Sequence, residues 1–304
     1  MLNAKYMLYT GAKVDKKDNR DKQIDHILGV GEPFNWDKGY DIEEELDIKF
    51  PVKDQKKTSS CVGQGVASLV WAKNVREYLN RYGKLTDEMK SFLIDWLISA
   101  RAIYSQIFVK SGGAYLRDGV KLIKDWGAVS EKLVPFIPDE NGCRSLKWKN
   151  KVIDETAKIL QAKEYRILRS KRSIDLMAQS IRDNEGVILG VKGENNGTWH
   201  SLFPKVGKDD WSHCVFGGKA KMVDGKKKIG ILNSWGADVG EDGWQWLGEE
   251  WFEANKIFNP WMIVDKKNKG WIWLIDRNGK PRKMFVYLLK TITYLLNKRG
   301  FKLK

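Results

Sequence analysis

Val62, Val66, Leu69 and Val70 recur at three- and four-residue steps, and with Val75 beyond them they predict a helix from Cys61 that Gly83 ends. Ser59 and Ser60 before it are residue types that cap a helix start. Residues 94–107, 115–126, 153–160 and 174–184 carry the same period and predict further helices, the last stopped by Gly186. After Pro135 and Pro138 the pattern shifts toward strands. Residues 186–191 form an apolar run of strand length. Residues 213–223, an Asp224-Gly225 turn and residues 228–233 predict a hairpin, and residues 244–247 another strand. The chain therefore reads as an α+β protein, with a mainly helical lobe over 51–140 and a β-rich lobe over 141–252. Beyond Phe252, residues 270–275 and 283–287 around an Asn-Gly turn suggest a second hairpin. Phe285, Leu288, Leu289, Ile292, Leu295 and Leu296 mark one helical face there.

Residues 1–32 are polar and charged and read as a lead segment, while 41–50 read as a small insertion. A length of 304 residues suits one two-lobed domain, or a domain with an appendage. Fourteen Trp and 42% hydrophobic residues exclude a disordered chain. No run of about 20 apolar residues predicts a membrane span. The start lacks the sustained apolar stretch of a secretory signal. Three cysteines are too few for a disulfide framework, and together these features predict a cytoplasmic protein. The net charge of +15 is uneven, because residues 266–304 carry twelve Lys or Arg against the single acid Asp276. That basic extension is a candidate docking surface for an anionic partner or membrane surface, or an ordinary solvated and packed segment.

The candidate chemistry lies in four short words. Gln55 and Cys61 stand in the run from Pro51 to Cys61, His213 follows Trp211-Ser212, and Asn233 opens Asn233-Ser-Trp-Gly236. A thiol, an imidazole, a side-chain amide and a further donor are what thiol-based acyl transfer requires. His213 and Asn233 lie 152 and 172 residues after Cys61, near the separation such sites show. His26 sits in the polar lead and His200 in a loop-like stretch, which leaves His213 as the imidazole placed on a strand.

At these residues the chain resembles the papain-like cysteine proteases. Val52-Lys-Asp-Gln55 is similar to the family's Gln segment and Ser60-Cys61 to its nucleophile. Ser212-His213 is similar to its His strand, and Asn233-Ser-Trp-Gly236 with Gly240-Glu-Asp-Gly-Trp244 to its Asn segment. Weaker likenesses extend the resemblance over about 33–252, with Phe34-Asn-Trp-Asp-Lys-Gly39 similar to the start of a mature enzyme. The resemblance implies a two-lobed fold, a helical lobe facing a β-barrel-like lobe with the site in the cleft between them. It implies Cys61 as nucleophile, its thiol pKa depressed by the helix N-terminus and a paired imidazolium. His213 would be base and acid, and Asn233 would orient the ring. Gln55 would donate to the oxyanion with the Cys61 N–H. Trp235 would shield the His–Asn bond, and Gly112 and Gly113 would let a substrate strand approach. Neither a metal nor a cofactor is implied, and the partner is a peptide or protein substrate.

Several positions depart from the family pattern. Thr58 stands where secreted members carry a disulfide cysteine, Ser111 precedes the glycine pair, and Val62 replaces an aromatic after the nucleophile. The lead is short for a full inhibitory propeptide. The leading expectation is an endopeptidase. An exopeptidase or amidase/transferase on the same fold stays open, as does a non-catalytic binding protein docked through its basic end.

Overall fold

The computed structural model describes residues 10–29, 31–170 and 173–266. The lead contributes strand β1 (Ala12–Lys13) and one helical turn, α1 (Asp25–Leu28), followed by β2 (Tyr40–Asp41) and α2 (Ile42–Glu45). The helical lobe is built on α3 (Cys61–Tyr82), α4 (Asp87–Asp95) and α5 (Ala100–Ile107), then β3 (Ala114–Tyr115), α6 (Leu116–Asp125) and α7 (Glu140–Arg144). The second lobe follows with α8 (Lys151–Ala157), β4 (Ala162–Ile167), α9 (Ile174–Asp183) and β5 (Val187–Gly193). It ends with β6 (Trp211–Val223), β7 (Lys226–Leu232), β8 (Trp244–Gly248), α10 (Glu249–Glu253) and β9 (Ile257–Lys266).

Helix α3 is buried on every face through Val75, so it is the central post of the molecule rather than an amphipathic surface helix. Its glycines set the packing distance. A Cβ on Gly63 would stand 2.6 Å from the Ala100 carbonyl of α5, and one on Gly65 3.1 Å from Cys214 Sγ of β6. Gly83 closes the helix at φ 76°, its N–H on the Leu79 carbonyl.

The helix predicted over 94–107 is two helices. Ser99 ends the extended break before α5, its hydroxyl donating to the Val134 carbonyl and accepting from Ala102 N–H. That cap outweighs continuation of the apolar period. Likewise the predicted 115–126 helix begins one residue later, because Ala114 and Tyr115 pair with the lead as β3.

One sheet runs β4-β9-β5-β6-β7-β8, with β2 added to the edge of β6. The expected barrel is an open sheet: strand order has β4 and β8 at opposite ends. The β6–β7 hairpin turns at Asp224 and Gly225, both at positive φ, as a two-residue turn requires. β9 pairs with both β4 and β5, so the sheet continues past Phe252, where the sequence resemblance thins. The segment 41–50 is pinned by Lys219 of β6, whose Nζ meets Glu43 at 2.6 Å and Asp41 at 2.9 Å. Phe50 then wedges between Trp71 and Phe216 in the core. The predicted second hairpin and helical face lie outside the described residues. No helix among the described residues is long and apolar enough to cross a membrane.

Candidate active site

Cys61 is the first residue of α3, with Ser60 before it. His213 is on β6, opposite Val191 of β5, and Asn233 follows the last residue of β7. The Gln55 loop is held against the Asn233 segment by main-chain bonds. Gln55 N–H donates to the Ser234 carbonyl at 2.8 Å, and Gly236 N–H to the Lys53 carbonyl at 3.1 Å. These bonds join the two lobes beside the site. The Asn233 segment ends in a tight loop that a Cβ on Gly240 would block, 1.9 Å from the Trp244 carbonyl.

The imidazole has a defined tautomer, traceable through three side chains. Gln245 Nε2 donates to the carbonyls of Trp199 and Ser201 at 3.0 and 2.9 Å, which fixes which end of that amide is oxygen. Gln245 Oε1 then accepts from Asn233 Nδ2 at 2.8 Å. Asn233 Oδ1 is thereby turned to His213 Nε2 at 2.9 Å, and it also accepts from Ser234 N–H. An oxygen acceptor requires the proton on Nε2. The Nδ1 lone pair is then the one that can take a proton, and Nδ1 is buried without a hydrogen-bond partner among the described residues. Trp235 lies flat on the imidazole, ring centroids 4.3 Å apart, and Trp211 stands edge-on to it. These rings exclude water from the His213–Asn233 bond, which strengthens it.

Gln55 is fully buried. Its Nε2 donates to the Thr58 carbonyl at 2.7 Å, and its Oε1 accepts from Ser234 Oγ at 2.7 Å. Gly112 and Gly113 take φ of 89° and 76°, the left-handed region that glycine enters at no cost. His200 is set in the 3-10 turn Thr198–His200, and His26 on α1, both outside this arrangement.

A stretch of the lead occupies the site. Gly11 N–H donates to the Ser212 carbonyl at 3.3 Å, and Ala114 N–H to the Gly11 carbonyl at 2.8 Å. β1 continues this as a parallel pairing with β3, Ala12 opposite Ala114. The approach is close enough that a Cβ on Gly113 would fall 1.7 Å from the Gly11 oxygen. The backbone N–H of Gly11 also turns toward the Cys61 sulfur, with those of Cys214 and Val62. The strand beside the glycine pair is thus the chain's own lead.

Burial decides the electrostatics. Burial pushes the Cys61 thiol up to about 12, although the surrounding N–H groups act to lower it. Burial likewise pushes His213 down to about 4, against the Asn233 bond. Both groups are neutral in this state. The sequence expectation of a depressed thiol pKa therefore fails here, because loss of water outweighs the helix N-terminus. The other cysteines are free and buried: Cys143 on α7, and Cys214, whose side chain packs toward α3. Among the described residues no group of three or more His, Cys, Asp or Glu is placed to hold a metal ion.

Sequence reasoning missed Gln245 and Gly11. The signal for Gln245 was a polar residue between Trp244 and Trp246 in a strand buried throughout. Gly11 carries no local signal.

Among solved structures the fold is similar to that of xylellain, a cysteine protease from Xylella fastidiosa. The match covers 85% of this chain and 97% of that one, at a TM-score of 0.67 and 19% identity. Procathepsin B S9 from Trypanosoma congolense matches over 86% of this chain and 87% of its own, at TM-score 0.63 and 13% identity. The cysteine protease CMS1MS2 from Carica candamarcensis, solved in complex with E-64, matches over 76% and 98%, at TM-score 0.54 and 14% identity. The fold is therefore papain-like. No family model matches the chain, and no curated protein matches it in sequence.

Proposed function

We propose that this papain-like fold carries a cysteine endopeptidase whose resting site is capped by residues 10–15. The observation that carries the reading is the imidazole tautomer: Nε2–H is fixed on Asn233, leaving Nδ1 as a base on the strand that flanks the Cys61 thiol.

Once the cap lifts, water and substrate dipoles reach the thiol, and the desolvation that holds both groups neutral falls away. Nδ1 takes the thiol proton, and the thiolate attacks a peptide carbonyl to give a tetrahedral oxyanion. The Cys61 N–H and the Gln55 amide donate to that oxyanion in this reading, and losing one such donor costs on the order of 10²–10³ in turnover. The imidazolium returns its proton to the leaving amine, which leaves a thioester on Cys61. Water, deprotonated by the same imidazole, then releases the acid and restores the thiol. An endopeptidase is favoured because the cap crosses the thiol as a continuous chain, with Thr10 before Gly11 and Ala12 after it.

The test is labelling by an epoxide-type thiol inactivator, followed by peptide mass mapping, in the full chain with Gly11→Val to lift the cap. Stoichiometric modification of Cys61 that disappears when His213→Ala is added is the expected result. Equal labelling of Cys61 with and without His213 would remove the reading.

A further inference from the structure

Asp15 lies four residues beyond Gly11, at most about 13 Å along an extended chain. It is 8% exposed and fills a pocket built by the body of the protein. Its carboxylate accepts from Trp261 Nε1 at 2.7 Å and from the Arg117 backbone N–H at 3.2 Å from either oxygen. Its own N–H donates to Asn259 Oδ1 at 3.0 Å.

The Trp261 indole and the Arg117 amide take their positions from the body of the protein, whereas the Arg117 guanidinium also donates to the Lys16 carbonyl and to Asp21 of the lead. Trp261 is fully buried in β9, where it pairs with Ile167 and Ile188. Arg117 is the second residue of α6, so its amide is one of the helix-end donors with no partner inside the helix. Its guanidinium stands 5.7 Å over the Trp261 ring and adds positive charge. Asn259 holds φ 44°, an uncommon backbone conformation for a side-chain-bearing residue. Asp118 of the same helix faces Asp15 and opposes it, and Arg117 offsets that repulsion.

With the lead withdrawn, a buried indole N–H and a helix-end amide both need an acceptor. A side-chain amide offers one oxygen to those two donors, whereas a carboxyl group offers two. We infer that this pocket is a subsite for an acidic side chain, an Asp or Glu of a peptide substrate three or four residues from the scissile bond. Trp261 and Arg117 are its specificity-determining residues, and Asn259 takes the backbone N–H of the same residue. The inference rests on the peptidase reading for its substrate class, but its binding half is measurable without turnover.

The experiment uses the full chain with Cys61→Ala, Gly11→Val and Asp15→Asn, which removes the lead's own claim on the pocket. Two peptide pools, identical except for Asp against Asn three or four residues to either side of a fixed centre, are titrated by calorimetry. At pH 5, at least about tenfold tighter binding of Asp at one position is expected, because two donors then meet two oxygens in place of one. Trp261→Phe should bring the ratio close to one. Equal affinity of the pools at every position overturns the subsite. Cleavage is read separately with Cys61 restored. Preferred binding without cleavage keeps the subsite and removes the peptidase reading, and cleavage without preference does the opposite. If the combined variant does not fold, Asp15→Asn alone is tested by protection of Cys61 from labelling. Protection by the Asp pool alone supports the subsite, and equal protection overturns it.

Discussion

The side-chain amide of Gln245 holds that of Asn233, 2.8 Å from oxygen to nitrogen, and so decides which atom faces the His213 imidazole. Replacing Gln245 with Leu leaves Asn233 Nδ2 and two backbone carbonyls without partners in a buried strand. An unmet buried group costs about 1–3 kcal/mol, so thermal denaturation should show a clear loss of stability. The amide of Asn233 is then free to turn. A drop of roughly tenfold or more in turnover is expected, with KM little changed. Gln245→Glu, which keeps the acceptor but places a carboxylate against two carbonyls, should not rescue it. Unaltered turnover in Gln245→Leu would show that Asn233 is held by other means.

Gly11 tolerates no side chain where it crosses the site, since a Cβ there would lie 2.4 Å from the Ser59 carbonyl and 2.9 Å from Gly113 Cα. Gly11→Val should dislodge the cap while leaving the core untouched. The rate at which a neutral thiol reagent labels Cys61 should rise at least about tenfold, with the melting temperature nearly constant. Cys143 and Cys214 serve as internal references, and a parallel rise at all three would signal general unfolding instead.

Burial raises Asp15 from its ordinary 3.8 to about 6, outweighing the Trp261 and Arg117 bonds that lower it. The docked lead therefore binds a proton more tightly than the free lead does. The sign follows from linkage: docking is strongest below the free value, weakens as pH rises from about 4 to about 6, and is level above that. The ratio of Cys61 labelling in the native chain to that in Asp15→Asn cancels the thiol's own ionisation. That ratio should climb through this window and then flatten. Asp118 is also raised by burial, so the same ratio measured in an Asp118→Asn background assigns the effect. A flat ratio from pH 4 to 7 would contradict the assignment to Asp15.

His213 is held down to about 4 by burial in the capped state, below its ordinary 6.5. Its ring resonances should not move between pH 8 and 5. The capped state should lose stability as pH falls from 6.5 toward 4, because the uncapped imidazole gains its proton first. A ring titration near 6.5 in the capped chain would contradict this.

The residues of the site were legible because each sits in a short contiguous word whose chemistry is local: a thiol at a helix start, an imidazole beginning a strand, an amide before a Trp-Gly turn. The main helices and the β6–β7 hairpin were legible for the same reason. What escaped depends on partners far along the chain. The break before α5 needs Val134 to accept from Ser99. β4 alternates weakly and carries charges, yet pairs with β9, whose near-continuous burial hides any alternation. The thiol's ionisation was misjudged because its sequence neighbours favour a thiolate, while the segment that dries it begins some fifty residues earlier. Gln245 reaches Asn233 only because β8 pairs with β7.

The tip of the lead and the strap behind it are held very differently. Beyond Asp15 the strap is tied to the body, with Asp21 between Arg117 and Arg169 and Ile24 bonded to the Ile167 carbonyl. The tip can therefore lift without the strap leaving. Capping is then a unimolecular equilibrium, unaffected by diluting the protein. An incoming peptide competes against an effective concentration set by a short tether, on the order of millimolar. Severing the chain between tip and strap would abolish that advantage without removing the anchored residues.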